Sequence, residues 1–293
     1  MFGAIASVPG RVAAKRRLHS RLLISNQVVL AQETRGGLGD LATLSRTHRH
    51  FGTFIDVNEL TGTSRAGGVV TSIHSSIIDI TNEITEKIFA AGRCLAILLR
   101  GTGFCLLLVN IHVNPRWTLL QNKHIFRAIS AFCATVPEAV LFLVGDFNFI
   151  HSDEARCNIA DPTQEETTSN PKLATWFEEF LSDVMELHQG TYTRRDTRGD
   201  LYTTLSRLDR IYTNMQPCLL HDLSTHTHTL GYITNPTNLS DHIPVNTVIS
   251  PPAVGPPASF RMCSWTLKHP EFMITTHDLL DTVVLPVSGI DSL

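Results

Sequence analysis

Four short polar clusters lie at the ends of apolar, strand-like runs of the chain and combine carboxylate, amide and imidazole side chains. They are Gln32-Glu33-Thr34, Gly145-Asp146-Phe147-Asn148, Ser206-Arg207-Leu208-Asp209-Arg210 and Ser240-Asp241-His242. A fifth candidate, His112, lies inside the apolar run that ends at Val113. Carboxylates and imidazoles serve as general acids and bases, and carboxylate oxygens hold hard cations. Because a rigid sheet presents catalytic groups on its loops and strand ends, we expect the clusters to converge.

Each cluster taken alone has an ordinary structural explanation. A single glutamate after a strand is usually a turn residue, and Asp146 beside Gly145 can bond the amides of a turn. A lone histidine such as His112 within a strand is more often a core residue with satisfied hydrogen bonds. The prediction of a catalytic site therefore depends on the whole set.

The elements that must position these clusters follow from apolar periodicity and turn residues. We predict a basic amphipathic helix over about 12–26, with arginines between 11 and 21 on its outer face. Residues 38–66 have a mixed pattern and are predicted to contain loops. Further helices are predicted over Trp117–Val136 and over 171–187, the second capped by Asn170. The predicted strands are Val28–Ala31, Val69–Ile73, Arg93–Arg100, Phe104–Val113, Val140–Val144, Tyr202–Leu205, Leu208–Tyr212 and Val245–Ile249.

The order of these elements predicts an α/β fold with mixed sheets. Helices alternate with strands, but the run Gly101-Thr102-Gly103 predicts a hairpin with a three-residue loop. Arg194, Arg195 and Arg198 are predicted to lie in a turn. The proline-rich segment 251–257 is predicted to end the domain at about residue 250 as a stiff linker.

Composition excludes several classes of protein. The chain has 293 residues, 43% hydrophobic and 17% charged, and its formal net charge of −3 gives no global basic field for nucleic acid. No apolar run is long enough to span a bilayer. The six cysteines form no CxxC pair, which argues against a zinc ribbon and favours a reducing, intracellular compartment. The apolar start precedes the basic cluster, the wrong order for a secretory signal.

Five segments resemble the endonuclease/exonuclease/phosphatase superfamily in type and in order. They are QET, LVNIHVNP, LVGDFNFI, SRLDRIYTN and LSDHIPV, and the resemblance covers about residues 1–250. It is nearest to the endonuclease domains of non-LTR retrotransposons. The resemblance implies a four-layer α/β sandwich of two packed mixed β-sheets flanked by helices. It also implies hydrolysis of phosphodiesters in DNA with Mg²⁺, or Mn²⁺, as cofactor.

The resemblance further implies a role for each cluster. Glu33 would hold the metal, with Asp241 near it in a supporting role. Asp146 would orient and deprotonate the attacking water, and Asn148 would hold that water or a phosphate oxygen. The remaining roles are a phosphate contact by His242, an orienting bond to its ring from Asp209, a phosphate contact by His112, and contacts to the nucleic-acid backbone by Arg35 and Arg207.

One position departs from the pattern of the superfamily. Relatives carry an asparagine on the first strand, where this chain has Ser7. This departure leaves open a catalytically impaired nucleic-acid-binding relic. Within the superfamily, a phosphatase or phosphodiesterase acting on a small phosphorylated substrate is the other alternative. The segment 263–272 resembles the linker that leads to a reverse transcriptase in such elements, and we expect a nuclear location.

Overall fold

A computed structural model of the chain describes residues 9–34, 37–55, 67–151, 157–158, 171–198, 202–230 and 240–250. The helices are α1 (Pro9–Ser25), α2 (Leu38–Leu41), α3 (Ser75–Ile78), α4 (Leu119–Ala134), α5 (Pro171–Phe180) and α6 (Pro217–Asp222). The first seven strands are β1 (Val28–Ala31), β2 (His48–Thr53), β3 (Val69–His74), β4 (Thr81–Ala90), β5 (Cys94–Gly101), β6 (Phe104–His112) and β7 (Val140–Asp146). The others are β8 (Cys157–Asn158), β9 (Met185–Glu186), β10 (Arg194–Arg198), β11 (Tyr202–Ser206), β12 (Asp209–Thr213), β13 (His226–Thr229) and β14 (Val245–Val248).

A six-stranded mixed sheet forms the centre of the described fold, with the strand order β4-β5-β6-β7-β12-β9. Within this sheet, β6 and β7 pair in parallel, because α4 carries the chain back to the same end. The predicted hairpin of β5 and β6 is confirmed. Its loop has two residues, not three, because Gly101 pairs with Phe104.

One face of this sheet is covered by α4 and α5. Leu107 and Val109 of β6 pack in one core with Phe126 of α4 and Phe177 of α5, and all four are buried. The helix α4 begins with a capping box formed by Thr118 and a glutamine three residues later. The burial of these large apolar side chains holds both helices against the sheet.

The other face packs on a three-stranded antiparallel sheet with the order β1-β3-β2. Phe51 and Val69 of the small sheet share a buried core with Leu95 and Ile97 of β5. Side chains alternate along β2, so its two histidines point away from this core, toward α1, where His19 is buried. Helices, six-stranded sheet, small sheet and α1 thus form four layers, and the predicted α/β sandwich is confirmed.

Two further small sheets, β10-β11-β8 and β13-β14, are antiparallel, as is the β1-β3-β2 sheet. Among the described strands, only the six-stranded sheet is therefore mixed. Leu187, Ile211, Met215 and Leu220 form a separate core beside β12.

Several predicted boundaries are wrong. The helix predicted over 171–187 ends at Phe180, because Met185–Glu186 leaves it to pair with β12. The arginines from Arg194 onward form the strand β10 instead of a turn, paired along its whole length with β11. The strands β2 and β4 of the two packed sheets are absent from the prediction.

Some predictions lie outside the described residues. These are Ser7, Arg35, the cap Asn170 and everything from residue 251 onward, including the predicted domain boundary. No helix in the described part of the chain combines the length and hydropathy that crossing a membrane requires.

Candidate active site

Strand register brings three of the predicted residues to one edge of the six-stranded sheet. His112 ends β6 and Asp146 ends β7, and the parallel register of the two strands makes them direct partners. Asp209 begins the antiparallel strand β12 on the other side of β7, where it also pairs with Asp146. Paired strands lie about 5 Å apart, so the three residues are immediate neighbours. The sheet therefore builds the centre of the predicted site.

Asp146 is buried and held by a residue of the turn that follows it. Its Oδ1 accepts the backbone N–H of Asn148 at 3.0 Å, and its Oδ2 accepts the Asn148 Nδ2 at 3.1 Å. The same Nδ2 donates to the carbonyl of Val113 at 2.7 Å. Burial raises the pKa of Asp146 to about 7, and the negative charge of Asp209 adds to the rise, although His242 and Asn148 oppose it. A carboxylate with this pKa can accept a proton near neutral pH.

His242 and Asp209 form a hydrogen-bonded pair, the dyad, next to Asp146. The His242 Nδ1 lies 2.8 Å from the Asp209 Oδ2, and the His242 Nε2 lies 3.9 Å from the Asp146 Oδ2. Burial lowers the pKa of His242, but the carboxylates of Asp209, Asp146 and Asp241 outweigh burial and raise it to about 10. The imidazole is therefore a cation at neutral pH, with Nδ1–H bonded to Asp209 and Nε2–H toward Asp146.

His112 lies between two carboxylates and a guanidinium. Its Nε2 lies 3.7 Å from the Glu33 Oε1 and 3.7 Å from the Asp146 Oδ2. The Arg93 Nη1 lies 2.8 Å from the His112 Nδ1. The same Nη1 lies 3.3 Å from the His112 Nε2. A guanidinium only donates, so the shorter contact favours a neutral ring in which Nδ1 accepts and Nε2, which faces the carboxylates, carries the proton. Burial lowers the pKa of Arg93, while Glu33 and Asp146 oppose that change and favour the cation.

Arg93 is a site residue that the sequence did not predict. It precedes β5, where an arginine beside a glycine has no distinctive motif. Its place in the site follows from the pairing of β5 with β6, which puts its backbone carbonyl 2.7 Å from the amide nitrogen of His112.

The backbone is left-handed at two of the predicted residues. Of the three described residues other than glycine with positive φ, two are Glu33 (φ 49°) and Asn148 (φ 48°). Such conformations are uncommon outside glycine and concentrate at functional sites, where surrounding contacts stabilise them. Here they occur at a carboxylate and an amide that lie at the same edge as His112.

Asp241 forms an ion pair with an arginine of β10. The Arg194 Nε lies 3.1 Å from the Asp241 Oδ2, and the Arg195 amide donates to the Asp241 carbonyl at 2.8 Å. Burial raises the pKa of Asp241, but the charges of His242 and Arg194 outweigh it and lower the pKa. The structure thus places Asp241 beside the dyad, bonded to Arg194.

The predicted nucleic-acid contact by Arg207 is corrected. Arg207 is 7% exposed, and its guanidinium binds the Glu186 carboxylate. The second oxygen of Glu186 binds the Arg210 Nη1 at 2.9 Å, and the Arg210 side chain is fully buried. The two arginines therefore join β12 to β9 inside the protein and do not present a cationic surface to a ligand.

The donor set at the edge fits a magnesium ion held by few protein ligands. Within the described residues, no group of three or more histidine, cysteine, aspartate or glutamate side chains forms a closed metal site. The half-exposed carboxylate of Glu33 and the buried one of Asp146 both face the same nitrogen of His112. Mg²⁺ keeps several waters and takes one or two carboxylates, which is the arrangement that this open edge offers.

Several solved structures share this fold. The endonuclease domain of TRAS1, a telomere-specific non-LTR retrotransposon, has a TM-score of 0.55 at 13% identity, over 80% of this chain and 92% of that chain. The 3′ phosphatase NExo from Neisseria, bound to a product DNA hairpin, has a TM-score of 0.56 at 18% identity, over 84% and 96%. The AP endonuclease LMAP from Leishmania major has a TM-score of 0.55 at 16% identity, over 85% and 86%.

Family membership follows from the sequence itself. No curated protein matches the chain. The model of the endonuclease/exonuclease/phosphatase family, whose members are hydrolytic nucleases and phosphatases, matches residues 6–242. That range includes every candidate site residue from Glu33 to His242, and the chain therefore belongs to the endonuclease/exonuclease/phosphatase family.

Proposed function

We propose that the protein is a divalent-metal-dependent endonuclease that nicks DNA, of the kind found in non-LTR retrotransposons. The observation that carries the proposal is the 3.9 Å contact between the Asp146 carboxylate and the His242 imidazole, which is itself bonded to Asp209. This contact brings a base and a cation together at an open edge. Hydrolysis of a phosphodiester needs both, one for the water and one for the phosphoryl oxygens.

Asp146 acts as the general base in this proposal. Its raised pKa lets the carboxylate take a proton from water at neutral pH. The backbone and side-chain amides of Asn148 both bond to it, so the carboxylate keeps one orientation. An attacking water that bonds to Asp146 would therefore meet the phosphorus from one direction.

Three groups around Asp146 stabilise negative charge on the phosphate. His242 provides a cation whose orientation is set by Asp209. His112 directs an N–H at the same edge, and Arg93 holds that tautomer and adds a positive charge. Donors that are already oriented stabilise a developing charge without reorganisation.

Glu33 is the residue proposed to hold the metal, and Asp241 supports it from the His242 side. The ion, Mg²⁺ or Mn²⁺, would neutralise charge on the phosphoryl oxygens when bound. Glu33 has a side chain that is 53% exposed, so a hydrated cation has access to its carboxylate.

DNA is the proposed substrate on two grounds. The endonuclease domain of TRAS1 has this fold. NExo also has it, and its structure contains a bound DNA hairpin. In this chain, Arg195 is exposed on β10 beside the dyad, and Arg17 and Arg21 are exposed on α1. Cations of this kind contact the phosphate backbone without reading sequence. A nuclear location and a reverse transcriptase beyond residue 293 belong to the same proposal.

A 3′ phosphatase is the second candidate, because NExo is a 3′ phosphatase with the same fold. The two activities use the same chemistry on different phosphates. They differ in whether the scissile phosphate is internal to a strand or at its end.

The test measures relaxation of a supercoiled plasmid and release of phosphate from a DNA hairpin with a 3′ phosphate. We expect nicking in Mg²⁺ that EDTA abolishes and that Mn²⁺ restores. Phosphate release without nicking would show that the protein is a phosphatase and not an endonuclease. The absence of both reactions in a folded protein would support the impaired relic, which Ser7 keeps open, and would overturn the proposal.

A further inference from the structure

Thr193 occupies a position between the two segments that carry His242 and Asp209. It directly precedes β10 and is completely buried. It lies outside the five segments that resemble the superfamily, and none of the roles described above involves it. Its contacts, however, reach the segments of both members of the dyad.

The side chain of Thr193 holds the segment of Asp209. Its Oγ1 accepts two consecutive backbone N–H groups, those of Leu208 and Asp209, each at 3.0 Å. A hydroxyl oxygen has two acceptor lone pairs, and here both are used. The carbonyl of Leu208 in turn accepts the amide of Phe147 at 2.9 Å, next to Asp146.

The backbone of Thr193 holds the segment of His242. Its carbonyl accepts the amide of Ile243 at 2.7 Å, and its own amide donates to the carbonyl of Ser206 at 3.0 Å. The following residue, Arg194, forms an isolated antiparallel bridge with His242. One residue thus bonds to both sides of the dyad, although Asp209 and His242 are separated in the chain by residues 210–241.

We propose that Thr193 is a positioning residue, whose hydroxyl sets the place of Asp209 relative to His242. The inference rests on the proposed function for its catalytic consequence. The geometric part, that the hydroxyl maintains the 2.8 Å bond between His242 and Asp209, is independent of the reaction.

The critical comparison is between Thr193→Val and Thr193→Ser. Valine has nearly the same shape but no acceptor, so the N–H groups of Leu208 and Asp209 lose their partner. Serine retains the acceptor and lacks only a methyl group. Thr213→Val is the matched control, because Thr213 is also completely buried and accepts one backbone amide, at 3.2 Å from Met215, at the far end of β12.

The first measurement is a proton NMR spectrum of the full chain, which requires no catalytic activity. The His242 Nδ1 proton shared with Asp209 gives a far-downfield signal, identified by its absence in His242→Ala. We expect Thr193→Val to lose or shift this signal, and Thr193→Ser and Thr213→Val to retain it. If Thr193→Val does not fold, Thr193→Ala takes its place, because alanine also lacks the acceptor and adds no bulk.

The second measurement is plasmid nicking. We expect Thr193→Val to lower kcat by about 10–100-fold, as is typical for residues that orient a catalytic group. KM should change little, and Thr193→Ser should recover most of the rate. In a His242→Ala background, Thr193→Val should cause no further loss, because it acts through His242.

Two results would overturn the inference. One is an unchanged downfield signal in a folded protein without the hydroxyl. The other is a rate loss in Thr193→Val that multiplies with that of His242→Ala, as a general packing defect would. A wild-type protein with the signal but without nicking would contradict the proposed function and leave the NMR comparison valid.

Discussion

Asp209 raises the pKa of two groups of opposite kind. Its negative charge opposes ionisation of the nearby carboxyl of Asp146 and favours protonation of His242. Burial is the larger cause of the raised pKa of Asp146, and the first effect adds to it, while the second keeps His242 a cation. One carboxylate at the start of β12 therefore acts on both the proposed proton acceptor and the proposed phosphate contact.

The hydrogen bond between Asp209 and His242 predicts how the losses of the two residues combine. Each single change to alanine should lower the nicking rate by about 10²–10⁴-fold, the usual range for acid–base and electrostatic groups. If the two residues act as one unit, Asp209→Ala/His242→Ala should be little slower than His242→Ala. The rates of all four proteins in Mg²⁺ provide the measurement. Single losses that simply multiply would show that the residues act separately.

The residues that could be predicted are those in the short motifs that end strands. Arg93 and Thr193 could not, because their roles depend on contacts across β-pairings that no local pattern contains. The resemblance implies a contact of Arg207 with the nucleic-acid backbone, which the structure does not support. The actual partner of Arg207, Glu186, could not be recognised because the predicted helix over 171–187 includes the strand β9.

The strands β6 and β7 lie in close contact and place His112 and Asp146 next to each other. Gly145 has a φ of 155°, and a Cβ at this position would lie 1.7 Å from the Ile111 carbonyl oxygen. A side chain cannot be accommodated there unless the strands separate. The pairing of β6 with β7 therefore requires a glycine directly before Asp146.

We accordingly expect Gly145→Ala to separate the strands and displace Asp146. A strained backbone of this kind costs about 1–3 kcal/mol, and the clash with the neighbouring backbone adds to it. Urea unfolding gives the free energy of unfolding, and plasmid nicking gives the rate. Gly190→Ala is the control, because nothing lies within 4 Å of a Cβ at that position. Equal stability and nicking rates for the two variants would contradict the role of Gly145.

Continuous apolar runs made β5, β6 and β7 predictable, whereas polar strands were missed. The strand β4 is at the edge of its sheet, and its side chains are half-buried or exposed, so no apolar run indicates it. The strand β2 has the sequence HRHFGT, and its histidines face α1 instead of solvent, so polar residues take the place of an apolar run. The charges of β10 predicted a turn, but pairing with β11 and the contact to Asp241 make it a strand.

At the scale of the whole molecule, a histidine cluster joins α1 to the small sheet. His19 of α1 is 1% exposed, and His48 and His50 of β2 lie near enough to repel a charge on it. The rings of His48 and His74 are 5.0 Å apart in edge contact. Burial, with His50 adding to it, lowers the pKa of His19 from 6.5 to about 4. The contact between α1 and the small sheet therefore requires a neutral imidazole.

This cluster predicts a loss of stability in mild acid. The folded His19 binds its proton only near pH 4, whereas the unfolded chain binds it near pH 6.5. The stabilisation is complete above pH 6.5 and is lost as the pH falls toward 4, up to about 3 kcal/mol. The free energy of unfolding, measured with urea between pH 7 and pH 4, should fall less steeply with pH for His19→Gln than for the wild type. His124→Gln, at an exposed site of α4, should keep the wild-type slope. The same dependence of the free energy of unfolding on pH in all three proteins would contradict this explanation.

The edge formed by β6, β7 and β12 is proposed as a hydrolytic site for DNA with Asp146 as its base. Asp146→Asn retains the shape and an acceptor for the Asn148 amide but removes the base, whereas Asp222→Asn makes the same change at an exposed position of α6. The most direct test is the rate of plasmid nicking in Mg²⁺ for these two variants and the wild type. We expect Asp222→Asn to nick like the wild type and the nicking rate of a folded Asp146→Asn to fall by about 10²–10⁴-fold, the contribution of a general base. Wild-type nicking by folded Asp146→Asn would contradict this proposal.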